Sequence, residues 1–285
     1  MKLCRFKTRD KEIKPGLILA DSHVLDLTAA GISGCGQVLE LPAPTEALNH
    51  LAEQNLPRLP IAEVSFCSPV EEQEVWAAGV TYQRSKAARM EESDFSATAY
   101  DRVYSAQRPE IFFKSMPGKV VATGEPVGIR RDARWSVPEP ELALVLNSRG
   151  RLVGFTIGND MSSRDIEGEN LLYLPQAKIY QGSCALGPCI LVGGSEEEAR
   201  SWTIRLKIFR GSEIAFGDET SVDRIRRSFS ELAGFLFRSQ VFPTGAVLLT
   251  GTGIVPPDTF TLLEGDLVEI EISGIGLLRN PVAIV

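Results

Sequence analysis

Glu139 and Glu141 stand on either side of Pro140, at the mouth of the apolar run Leu142–Leu146, whose pattern predicts a strand. Residues i and i+2 of a strand point to one face, so both carboxylates aim at the same spot. Like charges that close repel, and each raises the other's pKa unless a cation sits between them. A third carboxylate, Asp160 in Gly158-Asn-Asp-Met-Ser-Ser-Arg-Asp165, lies where the next predicted strand turns. Three hard oxygen ligands with open positions suit Mg²⁺ or Mn²⁺ far better than zinc.

Other residues stand as candidates beside plainer readings. A bare Glu-x-Glu is most often a solvated strand face, and Asn159-Asp160 is common turn chemistry. Lys178 sits in the apolar stretch Leu174-Pro-Gln-Ala-Lys-Ile-Tyr180. It is either a snorkelling surface lysine or a cation beside the carboxylates, ready for a substrate carboxylate. Thr250-Gly-Thr-Gly253 is a plain turn or a loop whose amides and Thr252 approach an anion closely. Glu110, opening Glu110-Ile-Phe-Phe-Lys114, is a surface carboxylate by default and a general base if it faces a metal. Arg164 and Asp165 read as a structural ion pair. Both histidines, His23 and His50, fall in the N-terminal quarter. A His-based zinc site or a Ser-His-Asp triad is thereby disfavoured.

The elements that must position these groups follow from pattern. Leu3–Thr8, Gly16–Ala20 and Val24–Leu27 read as short strands, Thr45–Gln54 as an amphipathic helix, and Leu56–Pro60 as a linker. Residues 1–68 thus form a small N-terminal α+β domain, and 69–285 a catalytic domain. In the latter, strands are expected at Val75–Val80, Ile111–Lys114, Leu142–Leu146, Leu152–Ile157, Thr203–Phe209, Val247–Thr250 and Leu267–Ile272. Few helices intervene, so a mixed, β-rich α/β body is preferred over a doubly wound parallel sheet. One clear helix is expected near Asp223–Arg238, with Ile225, Phe229, Leu232, Ala233 and Leu236 on its core stripe. Residues 83–107 read as a lid.

With 285 residues, 44% of them hydrophobic, the chain can bury one large core. A net charge of −7 argues against nucleic acid and anionic membranes as partners. A divalent cation would offset that charge locally for an anionic substrate. No apolar run is long enough to span a bilayer. Five scattered cysteines and no apolar leader point to a reduced, cytoplasmic protein.

Taken together, Glu139-x-Glu141, Gly158-x-Asp160-x-Ser-Ser-Arg-Asp165, Lys178 with Gly187-Pro188, and Leu249-Thr-Gly-Thr252 resemble the fumarylacetoacetate hydrolase superfamily. The resemblance covers roughly residues 75–285 and, more weakly, the N-terminal unit. It implies a mixed β-roll, Glu139, Glu141 and Asp160 as Mg²⁺ ligands, and Lys178 and Thr252 near the substrate. It also implies a homodimer or a dimer of dimers. Where hydrolase members carry Gly-x-Asn-Tyr-x-x-His, this chain has Gly79-Val-Thr-Tyr-Gln-Arg-Ser85. Ser85 replaces the water-activating histidine, and Tyr82, Arg84 and Ser85 are placed at the substrate. This departure, with Arg108–Lys114, Trp135–Leu142 and Ile157–Tyr180, is similar to the 2-keto-3-deoxy-D-arabinonate dehydratase branch. That branch implies a metal-dependent hydro-lyase that dehydrates a 2-keto-3-deoxy sugar acid, 2-keto-3-deoxy-D-arabinonate to 2,5-dioxopentanoate, through a metal-stabilised enolate. Glu110 is expected as its base, with Lys178 as second choice. The alternatives are a Mg²⁺-dependent C–C hydrolase or decarboxylase of an acylpyruvate or similar 2,4-dioxo acid, and a non-catalytic ion-binding domain.

Overall fold

Every residue of Pro140–Leu146 is buried, because this strand has a core on both faces. Leu142, Leu144 and Leu146 belong to one apolar cluster, and the alternating Ala143 and Val145 to another. A strand covered on both sides reads as a continuous apolar run. The computed structural model describes residues 1–9, 11–82 and 103–285.

Among the described residues, the strands are β1 (Lys2–Lys7), β2 (Ile13–Leu19), β3 (His23–Asp26), β4 (Arg58–Pro60), β5 (Ser65–Cys67) and β6 (Glu74–Gly79). They continue with β7 (Glu110–Ser115), β8 (Val127–Ile129), β9 (Ser136–Val137), β10 (Pro140–Leu146), β11 (Leu152–Asp160) and β12 (Ser162–Ser163). The last six are β13 (Cys184–Val192), β14 (Thr203–Arg210), β15 (Glu213–Ser221), β16 (Ala246–Leu249), β17 (Leu267–Ile272) and β18 (Gly276–Ile284). The α-helices that lie wholly within the described residues include α1 (Cys35–Leu39), α2 (Pro44–Glu53), α3 (Arg164–Glu169), α4 (Leu174–Lys178), α5 (Glu196–Arg200) and α6 (Phe229–Phe237).

The main sheet runs β4-β3-β2-β1-β13-β11-β10-β16-β6-β7, with β5 also on β1. A second sheet runs β15-β14-β17-β18-β8. Pairing is mostly antiparallel, with β6–β16 and β8–β18 parallel. The fold is therefore mixed α/β and strand-rich, as the spacing of the elements predicts. One face of the main sheet meets Val38, Leu39, Leu48 and Leu51 from α1 and α2. The other meets Ile204, Leu206 and Ile208 of β14 and Phe229, Leu232 and Leu236 of α6. The N-terminal strands continue the main sheet, since β1 pairs with β13 at Lys2↔Leu191 and Leu3↔Ile190.

Two local expectations change. The helix expected near Asp223 begins only at Phe229, where Ser228 caps it by accepting the Glu231 N–H at 3.1 Å. Ile225 is buried but precedes the helix, so its place in the core needs no helical turn. The stretch read as a linker contains β4, which pairs with β3 through His23↔Pro60. Of the lid expected over 83–107, residues 83–102 lie outside the described residues, together with the candidates Arg84 and Ser85.

Candidate active site

Antiparallel pairing brings the three carboxylates together. In the β10–β11 ladder Pro140 faces Asn159 and Glu141 faces Gly158. One step further, the Asp160 N–H donates to the Glu139 carbonyl at 3.0 Å. Glu139 and Glu141 are separated by two positions, and Asp160 lies across the ladder, so all three reach one face. Their ligand oxygens lie within 4.8 Å of one another, and all three residues are buried. Pro140 fits although β10 is central. It is the first residue of the strand, outside the Ala143–Leu146 pairing with β16, so no ladder bond needs its missing N–H.

Cations hold the outer side of this cluster. Lys178, the last residue of α4, is fully buried. Its Nζ lies 2.7 Å from Oε2 of Glu139, 3.3 Å from Oδ2 of Asp160 and 2.5 Å from Oγ of Ser162. The lysine is thus the carboxylate-facing cation and not a snorkelling one. Arg164 opens α3 and places Nη2 2.7 Å from Oε1 of Glu139. The expected Arg164–Asp165 pair gives way to this arrangement, because Asp165 instead accepts the Arg134 N–H at 2.7 Å. Successive helical residues point about 100° apart, so one turns inward and the other outward.

Lys114 is a site residue that the sequence reading passed over. It is fully buried, with Nζ 2.5 Å from Oδ1 of Asp160 and 3.1 Å from the Met161 carbonyl. β7 sits four places from β11 in the sheet order, so this contact requires the sheet to curl round on itself. The available sequence signal was a lysine ending the apolar run Ile111–Phe113, where a charge needs a partner.

Glu141 differs from its neighbours. Among the described residues it has no ion pair; it accepts the Gly251 N–H at Oε2, at 2.6 Å. Burial, then the charges of Asp160 and Glu139, hold its carboxyl well above the ordinary range, against the pull of Lys178 and Gly251. A buried carboxylate with this deficit, beside two more carboxylates, is a fitting place for a hard divalent cation. Gly251 has φ +90, and a Cβ there would fall 2.1 Å from Thr81 Oγ1, so only glycine brings this amide to Glu141.

The remaining candidates lie around this core. Thr252 is buried, but its hydroxyl is engaged with Ile254, accepting the N–H and donating to the carbonyl, both at 3.2 Å. It is the Gly251 amide of this loop that meets a carboxylate. Tyr82 is buried against Gly253, where a Cβ would come within 2.5 Å of its ring. Burial and then the Glu141 charge push its hydroxyl pKa up. Glu110 opens β7 and lies across Gly79 on β6; a Cβ there would fall 2.0 Å from its Oε2. Phe112, two residues along the same strand, stacks its ring 5.9 Å from the Lys178 Nζ. All five cysteines are free and buried, and Cys184 faces Asp160 across the β11–β13 ladder.

Comparisons with known proteins agree with the architecture. The chain is 48% identical over 217 residues to the probable 2-keto-3-deoxyxylonate dehydratase of Haloferax volcanii, covering 76% of this chain and 74% of that protein. It is 42% identical over 225 residues to the 2-dehydro-3-deoxy-D-arabinonate dehydratase of Saccharolobus solfataricus, covering 78% and 76%. A solved structure of 2-keto-3-deoxy-D-arabinonate dehydratase complexed with magnesium and 2,5-dioxopentanoate superposes with TM-score 0.85 at 35% identity, over 100% of this chain and 99% of that one. The family model described as fumarylacetoacetate (FAA) hydrolase C-terminal matches residues 74–283. With that span and these relatives, the chain belongs to the fumarylacetoacetate hydrolase family.

Proposed function

We propose that this protein is a Mg²⁺-dependent hydro-lyase that dehydrates a 2-keto-3-deoxy sugar acid, 2-keto-3-deoxy-D-arabinonate being the first substrate to test. The observation that carries this reading is the buried Glu139–Glu141–Asp160 cluster, with Lys178 against it and no histidine anywhere in residues 51–285. Dehydration needs no activated water, so it needs no histidine; C–C hydrolysis by a His-Glu pair does. The relatives described as dehydratases support the same choice.

A divalent cation at the three carboxylates would supply the Lewis acidity that makes the C3 hydrogens of a 2-oxo acid more acidic. Glu139, Glu141 and Asp160 would hold it, Mg²⁺ and Mn²⁺ using the same ligands. Lys178 neutralises Glu139 and Asp160 and lies ready for the substrate carboxylate. Glu110 takes a C3 proton, and the hydroxyl leaves C4 as water. The resulting 5-hydroxy-2-oxopent-3-enoate reaches 2,5-dioxopentanoate by proton shifts alone. Tyr82, Thr252, Arg84 and Ser85 complete the substrate surround in this reading.

Residues 1–68 are assigned a supporting role, and the chain a homodimeric or dimer-of-dimers state in the cytoplasm. Light scattering tests the assembly. Among the described residues no helix is long and apolar enough to cross a membrane. The activity test is incubation with Mg²⁺ and 2-keto-3-deoxy-D-arabinonate in D₂O, followed by proton NMR. Loss of the C3 signal and growth of the product aldehyde are expected. Absence of both, with an acylpyruvate cleaved instead, would replace the dehydratase by a hydrolase.

A further inference from the structure

Three elements each place one residue at the carboxylate cluster and another at one cavity. On β7, Lys114 reaches Asp160 while Glu110 lines the cavity. On α3, Arg164 reaches Glu139 while Glu167, three residues on and so on the same helical face, lines it. On α4, Lys178 reaches both carboxylates while Leu174, four residues back, lines it. The cavity and the cluster are therefore built on the same three elements. Its volume is about 320 Å³, and Val103, Pro109, Leu171 and Leu174 make most of its wall apolar. Ligand sites of this kind hold a few placed polar groups within an apolar lining. Here two of those groups are carboxyls, Glu110 and Glu167, from different elements; Glu167 is 1% exposed.

Resting on the dehydratase reading, we infer that Glu167 is the general acid that protonates the C4 hydroxyl as it leaves, working with Glu110 as the base at C3. A substrate held by its 2-oxo acid end at the cluster extends C3 to C5 into this cavity, between these two carboxyls. As the C3–H electrons become the C3=C4 bond, the C4–O electrons depart with oxygen. Glu110 gains the C3 proton, Glu167 gives up its own, and water forms. The pair then runs in reverse on 5-hydroxy-2-oxopent-3-enoate. Glu167 takes a C5 proton and Glu110 returns its proton to C3. The C5 enol becomes the aldehyde by gaining a proton at C4 and losing its hydroxyl proton. Both carboxyls end as they began, with no oxidant or reductant.

The test compares water and fluoride as leaving groups in the Mg²⁺-loaded enzyme, using 2-keto-3-deoxy-D-arabinonate and its 4-deoxy-4-fluoro analogue. Fluoride departs with far less help from an acid than hydroxide does. Glu167→Gln is expected to keep C3 exchange in D₂O, to lose water elimination by about 100-fold or more, and to lose fluoride release by less than about tenfold. Glu167→Asp should recover part of the water elimination, because it restores a proton donor. In the wild type, the solvent isotope effect should be larger for water loss than for fluoride loss, a readout independent of how any variant folds. Equal losses with both leaving groups, wild-type dehydration by Glu167→Gln, or equal isotope effects would overturn the assignment. A wild-type enzyme that neither exchanges C3 hydrogens nor forms the aldehyde overturns the dehydratase reading itself, and this assignment with it.

Discussion

Lys114 and Lys178 hold opposite oxygens of Asp160, Lys114 at 2.5 Å from Oδ1 and Lys178 at 3.3 Å from Oδ2. Removing one partner of a buried ion pair leaves the other charge uncompensated, at about 3–5 kcal/mol. Lys114→Met should therefore lower thermal stability strongly in EDTA. Mg²⁺ should restore more of the melting temperature than it adds to the wild type, because a cation at Asp160 replaces the lost charge. Calorimetry with and without Mg²⁺ decides; equal Mg²⁺ shifts in both proteins would separate Lys114 from the ion site.

Loss of a metal ligand should end turnover without unfolding the chain. Glu139→Gln or Asp160→Asn is expected to abolish product formation and to weaken Mn²⁺ binding by at least about tenfold, since each removes a charged oxygen ligand. Manganese relaxation measurements report the binding directly. Full activity of either variant in EDTA would remove the ion from the mechanism.

Gly79 keeps the space that the Glu110 carboxyl occupies, with a built Cβ only 2.0 Å from Oε2. In Gly79→Ala the end of that side chain must swing away, whereas the strands need not part. Misplacing a catalytic group by about 1 Å can cost on the order of 100-fold. The variant is expected to lose C3 exchange to about that extent with a nearly unchanged melting temperature. Retained exchange would show that the base lies elsewhere.

The raised carboxyl pKa of Glu141 fixes the sign of a pH effect. In the metal-free fold this group keeps its proton above the ordinary carboxylate range, whereas the unfolded chain releases it there. The folded state then binds more protons, so stability falls as pH rises through that window. Mg²⁺ competes with the proton, so binding should release protons and tighten with pH. Titration calorimetry in buffers of different ionisation enthalpy should show the release; buffer-independent heats would contradict it.

What was legible in the chain was local. Period two put Glu139 and Glu141 on one face, and the antiparallel return through Gly158 brought Asp160 opposite them. Lys178 was legible as a cation in apolar surroundings. What stayed hidden depends on contacts distant in sequence. The partner of Lys114 lies across a curled sheet, and the reach of Arg164 to Glu139 depends on how α3 docks. Thr252 drew attention by its hydroxyl, yet the Gly251 amide makes the contact, because backbone groups carry no sequence label. The start of α6 was also missed. Ile225 continued the apolar spacing, while Ser228 and Glu231 form the start signal that outweighs it.

The pairing of Lys2 with Leu191 sets a schedule for synthesis. At ribosomal rates of about 5–20 residues per second, the first strand waits roughly 10–40 s for the neighbour that completes its hydrogen bonding. Gly251, whose amide steadies Glu141, emerges later still, and β18, made after it, supplies the partner of β8. A nascent chain therefore carries its acidic cluster unfinished until the Gly251 loop has been made, and the arrival of that loop, more than any early hairpin, makes the cluster whole.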